Sequence, residues 1–148
     1  MKTRYRFVVL LLLLSSELIA CQCAGKIPFE EDYSQSASIV TGRVISRQVK
    51  TYHYNKDGVN EKWTYFEYKI QVKQTYKGEP VKILWVTTAR KTPACGMKFK
   101  IGKDYLIYAH HDERYGLYTS DCNRNFLSSD FRFEADLTVL NNKKKTEG

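Results

Sequence analysis

The sequence predicts an all-β fold, five or so antiparallel strands closed as a barrel or sandwich, and three observations carry that expectation. Runs rich in branched and aromatic residues recur along the chain with turn clusters between them. One of them, Phe66 to Lys73, alternates apolar and polar residues without a break. No long helical pattern separates the runs, as it would in a parallel sheet. At 148 residues, 43% of them hydrophobic, the chain has the length of one domain with a sizeable core.

Residues 1–20 read as a targeting segment. Lys2, Arg4 and Arg6 form a positive start, and Phe7 to Leu14 is an unbroken apolar run too short to span a bilayer. Its removal leaves a domain of residues 21–148 and takes away three bases and one acid, so the formal charge falls from +8 to +6. An ordinary secretory signal cut after Ala20 is one reading. In the other, Leu18-Ile19-Ala20-Cys21 is similar to a bacterial lipobox, with Cys21 carrying diacylglycerol on sulfur and an acyl group on nitrogen. Both imply export, to a compartment where disulfides persist.

Cys21, Cys23, Cys95 and Cys122 are the four cysteines, and four allow three pairings. A Cys21–Cys23 bridge would close a small, strained ring. Either of the other two pairings joins the start of the mature chain to distant segments, at about 4 kcal/mol per bridge in the chain-entropy account. Lipidation of Cys21 would leave an odd thiol, so the even count weighs against the anchor.

Ala24 to Ser36, with Gly25, Pro28 and the acidic run Glu30-Glu31-Asp32, reads as a connector holding one helical turn and solvated charges. Strand character begins at Ala37. Ser38 to Ile45 is rich in branched residues, and Gly42 within it marks a bulge or tight bend. Tyr52 to Lys62 holds Asn55, Asp57, Gly58 and Asn60, a polar cluster linking two strands as a hairpin. Beyond it Phe66, Tyr68, Ile70 and Val72 alternate with Glu67, Lys69, Gln71 and Lys73, one face buried and one wet.

Tyr76 to Pro80 turns the chain, and Val81 to Thr88 is a further strand with Ile83 and Trp85 on one side. After the turn Ile101-Gly102-Lys103, a strand spans Asp104 to His110, and a short one from Gly116 to Ser120 runs into Cys122. Ser129 to Leu140 reads as a short helix capped by Asp130, with Phe133, Leu137 and Leu140 on one face. Lys143-Lys144-Lys145 reads as a frayed basic end.

Composition and motifs exclude several functions. The positive charge suits acidic partners only in a nonspecific way. His53 and the His110-His111 pair lack HExxH or CxxC spacing, and adjacent strand residues face opposite ways, so they read as surface residues rather than a metal site. With no nucleophile elbow, P-loop or carboxylate dyad, the chain does not read as an enzyme, and no cofactor is expected. Asp104, Asp112 and Glu113 read as turn charges. Export argues against nucleic acid as a partner, and Tyr65, Tyr68, Tyr105 and Tyr108 sit in strands, where aromatics serve packing.

Several segments, taken in order, carry a family resemblance: Cys21-x-Cys23, Ile39-Val40-Thr41-Gly42-Arg43-Val44, Tyr76-Lys77-Gly78, Ala94-Cys95-Gly96, Gly102-Lys103-Asp104-Tyr105-Leu106-Ile107 and Thr119-Ser120-Asp121-Cys122. Together they resemble the N-terminal inhibitory domain of the tissue inhibitors of metalloproteinases, in the compact form of bacterial exported proteins. The resemblance implies a five-stranded antiparallel OB-fold barrel with a short C-terminal helix, and the disulfides Cys21–Cys95 and Cys23–Cys122 tying down the N-terminus.

It also implies a mechanism. The free α-amine and carbonyl of Cys21 would chelate the catalytic zinc of a target metalloendopeptidase, at the position such a zinc keeps open. Gln22, where the family places a small Thr or Ser, would enter the specificity pocket beside the metal. Thr92, Pro93 and Ala94 would extend the contact ridge. Such an inhibitor is expected to be a monomer with no metal of its own, meeting a membrane only if Cys21 is lipidated. The rival expectation is a lipid-anchored OB-fold module, a binding or structural domain without protease inhibition.

Overall fold

The structure, a computed structural model, describes Cys23, residues 25–90 and residues 95–147. Residues 1–20, read as a targeting segment, Cys21, Gln22 and the run Thr92-Pro93-Ala94 lie outside the described residues. Elements follow in the order α1 (Phe29–Gln35), β1 (Ser38–Lys56), β2 (Val59–Lys77), β3 (Ile83–Ala89), β4 (Asp104–Asp112), β5 (Gly116–Tyr118), β6 (Phe126–Leu127) and α2 (Phe131–Glu147). Among these residues no helix is long and apolar enough to cross a membrane.

Five strands form a ring in the order β1-β2-β3-β5-β4, closed by pairing of β4 with β1, and β6 adds to β4. One contact corrects the all-antiparallel expectation: β3 and β5 run parallel where Thr87 meets Tyr118. An odd ring cannot alternate direction all the way round, so one parallel neighbour is forced.

Closure depends on β1 bending. Its first residues, Ser38 to Arg43, pair with β4 on one edge while the strand pairs with β2 along its length. Register shifts fall between Ile39 and Val40, Thr41 and Gly42, and Val44 and Ser46, irregularities that sharpen local twist. At Gly42 a Cβ would lie 2.6 Å from the Gln71 carbonyl oxygen and 2.7 Å from Ile70, so the bend needs glycine.

The first strand does not stop near Ile45 but continues to Lys56, and Tyr52 to Lys62 is mostly strand rather than a linking loop. The ladder runs unbroken from Tyr52 opposite Trp63 to Lys56 opposite Val59. Asp57 and Gly58 alone turn the chain, both at positive φ, 54° and 80°, as a two-residue hairpin turn requires. Past Tyr65 the two strands pair only with each other, and polar residues such as His53, Asn55, Asn60 and Lys62 alternate there with exposed Tyr52, Tyr54, Val59 and Trp63.

Two cores result. Inside the ring, Val40, Val44, Tyr68, Ile70, Leu84, Val86, Phe99, Tyr105, Ile107 and Ala109 pack together, with Phe66 and Val72 partly buried against them. The alternating face of β2 is therefore the inner one. Ile83 and Trp85 do share a side of β3, the exposed side, and that strand begins at Ile83 rather than Val81. Outside the ring a second core joins Ile39, Leu106, Tyr108 and Phe126 to Phe133 and Leu140 of α2, with Phe29, Tyr33, Tyr76 and Leu137 alongside. β4 is thus covered on both faces.

Three end regions differ from expectation. α1 is a helix of 7 residues rather than a single turn. β5 ends at Tyr118, not Ser120, because Ser120 turns away to donate its N–H to the Asn123 side chain at 2.9 Å. α2 runs to Glu147, so the lysines expected to fray are helical; Lys143 reaches Glu30 at 3.0 Å and lies over the Tyr33 ring. The expected cap is present: the Asp130 carboxylate accepts the Arg132 backbone N–H at 2.9 Å.

Candidate functional site

The described part of the site is a cluster of sulfur where Cys23, the first described residue, meets the loop that carries Cys122. Cys23 is bonded to Cys122 across a sequence separation of 99, with Cα atoms 5.3 Å apart. Cys95 brings its sulfur to 4.0 Å from that of Cys23, and all three sulfurs lie within 4.8 Å of one another. Cys23 and Cys122 are joined to each other and Cys95 is disulfide-bonded too. No thiolate is left there to hold a metal, so the cluster is a crosslink.

Backbone contacts draw the segments together. Asp121 donates its N–H to the Cys95 carbonyl at 2.7 Å, and Ile27 donates to the Cys122 carbonyl at 2.9 Å. Lys26 adds its ammonium to the Asp121 carbonyl at 2.5 Å. Cys95 sits at φ 52°, a left-handed conformation that a residue with a Cβ adopts only when its surroundings enforce it. Next to it, Gly96 lies so close to β3 that a Cβ would fall 1.8 Å from the Ala89 carbonyl oxygen. Met97 N–H then bonds the Thr88 hydroxyl at 2.7 Å. The chain leaving β3 and the chain returning at Cys95 are thereby held at one point.

A buried polar network supports the Cys122 loop, and here the structure corrects the sequence. Asp32, expected to be solvated, is fully buried. Its carboxylate accepts Asn123 Nδ2 at 2.7 Å and the Arg124 backbone N–H at 2.6 Å. The Arg124 guanidinium forks onto Asp136 of α2 at 2.8 and 2.6 Å and donates to the Ile27 carbonyl at 3.2 Å. The Tyr108 hydroxyl donates to Asp136 at 2.9 Å; burial, reinforced by the charge of Asp136, pushes its ionisation far above the ordinary tyrosine range.

Asn125 completes the network, accepting the Tyr108 N–H at 3.0 Å and donating to Thr119 Oγ1 at 2.8 Å. Such a network specifies one arrangement because a half-satisfied version is costly. Asp32, Asn123, Arg124 and Asp136 escaped the sequence reading. Two signals were present: Asp32 lies three residues after Phe29, on the same side of a helix, and Asn123-Arg124-Asn125 follow Cys122 with no strand pattern of their own.

Other candidates are placed as follows. Asp104 is no turn charge but a strand residue that accepts Arg43 in a two-point pair, at 3.1 and 3.0 Å, and Lys73 at 2.9 Å. The Arg43 hydrogen bond, then that of Lys73, lowers its pKa to about 2. Asp112 does organise a turn, accepting the N–H groups of Arg114 and Tyr115 at 2.8 and 3.2 Å. Tyr65, Tyr68, Tyr105 and Tyr108 are all buried. His53 and His111 are exposed, while His110 is half-buried, with its Nδ1 unpartnered. The structure thus brings Cys23, Cys95 and Cys122 together; Cys21, Gln22, Thr92, Pro93 and Ala94 remain outside the described residues.

One comparison bears on this arrangement. A family model described as "Tissue inhibitor of metalloproteinase" matches residues 19–131, which span every segment of the sulfur cluster and the whole strand ring. No curated protein matches the chain.

Proposed function

This chain belongs to the tissue inhibitor of metalloproteinase family, and we propose that it inhibits a zinc endopeptidase through an unblocked N-terminal Cys21. The family is one of inhibitors rather than enzymes, which gives the chain a metalloproteinase-inhibitor-like role in general. The finer reading has residues 1–20 removed on export and residues 21–148 folded as an OB-fold barrel, supported by the ring order and its one parallel contact. Cys21 pairs with Cys95, a pairing supported by the bonded state of Cys95 and the union of the other two described cysteines.

The observation that carries the proposal is the crosslinked Cys23, with Cys95 packed at 4.0 Å from its sulfur. A chain end normally frays; one crosslinked two residues on has little freedom left to lose when it meets a metal, which lowers the ordering cost of binding. The Cys21 α-amine and carbonyl then take the open zinc position. With an α-amine pKa near 8 a useful fraction is unprotonated at neutral pH, and coordination draws out the rest. Gln22 fills the neighbouring pocket, and Thr92, Pro93 and Ala94 lie along the contact ridge.

The test pairs two preparations against several zinc endopeptidases: the exported protein starting at Cys21, and the same protein with one alanine ahead of Cys21. Inhibition by the first and none by the second, with unchanged disulfides and circular dichroism, is the expected outcome. Equal inhibition by both would remove the chelate. Intact mass of the native protein checks the premise, since a diacylglyceryl increment on Cys21 would indicate the membrane-anchored module instead.

A further inference from the structure

The β1–β2 hairpin projects beyond the ring, where it has no core to cover, yet its two faces differ sharply. Directly opposed residues in a ladder share a face: Tyr52 stands opposite Trp63, and Tyr54 opposite Glu61. The neighbouring positions, His53 opposite Lys62 and Thr51 opposite Thr64, are polar. Tyr52, Tyr54 and Trp63 remain 42%, 45% and 54% exposed. An aromatic face kept on a solvent-projecting hairpin is a binding feature more than a folding one.

The β4–β5 turn closes this face from below. Asp112 fixes the turn through two backbone N–H groups, and Thr87 donates its hydroxyl to the Tyr115 carbonyl at 3.2 Å. The Tyr115 ring packs edge-on to Tyr65 at 5.1 Å and to Tyr52 at 6.3 Å. Tyr52, Tyr54, Glu61, Trp63, Arg114 and Tyr115 line a hollow of about 440 Å³, within the usual range for small-ligand sites. The Trp63 indole N–H donates to Glu61 at 3.0 Å, which fixes the ring's orientation.

From this hollow we infer a site for a neutral oligosaccharide of gluco-configured pyranose rings. Equatorial hydroxyls leave such a ring two flat C–H faces, which stack on tyrosine and tryptophan, while its edges need a few hydrogen-bonding groups. Glu61 accepts and Arg114 donates at the rim. The lining holds one acid and one base, so its charges balance, and beside it Asp112 and Glu113 offset the cation. A polyanion would need a cationic wall instead. In OB-fold rings the same two connections carry oligosaccharide and oligonucleotide sites.

The test is a titration of the exported protein carrying Trp85→Phe, in which Trp63 is the one remaining tryptophan. Cellohexaose and chitohexaose are the probes, with heparin as the polyanionic comparator. A saturable change in Trp63 emission with a neutral hexasaccharide, insensitive to added salt, is expected. By calorimetry, Tyr54→Ala weakens binding about tenfold, Trp63→Ala abolishes it and Trp63→Phe, which keeps a ring, retains most of it.

No saturation with either hexasaccharide, binding of heparin alone, or undiminished binding by a folded Trp63→Ala protein would each overturn the site. So would concentration-dependent dimerisation abolished by Trp63→Ala, since the hollow would then be covered by a second copy. Should Trp63→Ala fail to fold, the Tyr54→Ala and Trp63→Phe pair decides. No protease enters the assay, so its failure leaves the inhibitory reading untouched.

Discussion

Removing the Asp32 carboxylate strands two donors at once, the Asn123 amide and the Arg124 N–H. Asp32→Ala is expected to cost about 2–4 kcal/mol, read as a lower urea midpoint with disulfides intact. Asp136→Ala should cost about 3–5 kcal/mol, because it leaves the Arg124 guanidinium half-buried without its carboxylate. Asp104 gives a pH signature. Its folded pKa is depressed to about 2 by Arg43 and Lys73, so its stabilising effect is fully present above the unfolded value near 3.9 and is lost as pH falls toward 2. Asp130, also lowered to about 2, by Arg132, acts in the same window. Asp104→Asn and Asp130→Asn should each flatten the acid limb of a stability-against-pH curve between those values and leave neutral pH unaffected in slope. Asp32 could be read from the sequence as acidic and helical, but not as buried, because its partners lie 91 and 92 residues away.

At the scale of elements, the pivot is the return of the chain to the end of β3. Gly96→Ala would drive a Cβ into the Ala89 backbone, so the end of β3 and the segment carrying Cys95 must separate, which disturbs the packing of Cys95 against Cys23. The expected result is loss of protease inhibition at a temperature where circular dichroism still reports a folded ring. Normal inhibition by that variant would mean the juxtaposition of Cys95 and Cys23 is not needed. The inner face of β2 was legible because one side is dry and the other wet, and the α2 stripe and its Asp130 cap were legible by the same logic of period and end chemistry. Of the outer hairpin, the turn at Asp57 and Gly58 was legible but the length of its strands was not. Both its faces meet water, so residues 46–56 carry no burial period to mark a strand, and their polarity reads as a loop. β6, two residues long, is too short to leave any pattern.

For the whole molecule, the Cys23–Cys122 bridge closes a loop for which the chain-entropy account gives an upper figure of about 4–5 kcal/mol. A Cys23→Ser/Cys122→Ser protein should therefore melt earlier yet keep a strand ring, whose cores hold neither cysteine. Its inhibition should fall further than its stability accounts for, as measured at a temperature where it is fully folded. The overall β class and the pairing of Cys23 with Cys122 were readable ahead of the structure, the first from alternation and the second through family resemblance. The direction reversal forced on an odd ring, and the polar network under the Cys122 loop, arise from three-dimensional closure and leave no mark in local spacing.

The same 99-residue reach also imposes an order of events. Residue 23 has no native disulfide partner until residue 122 has been synthesised. A chain that stops short of residue 122 lacks this crosslink, and under the proposed mechanism it should not inhibit.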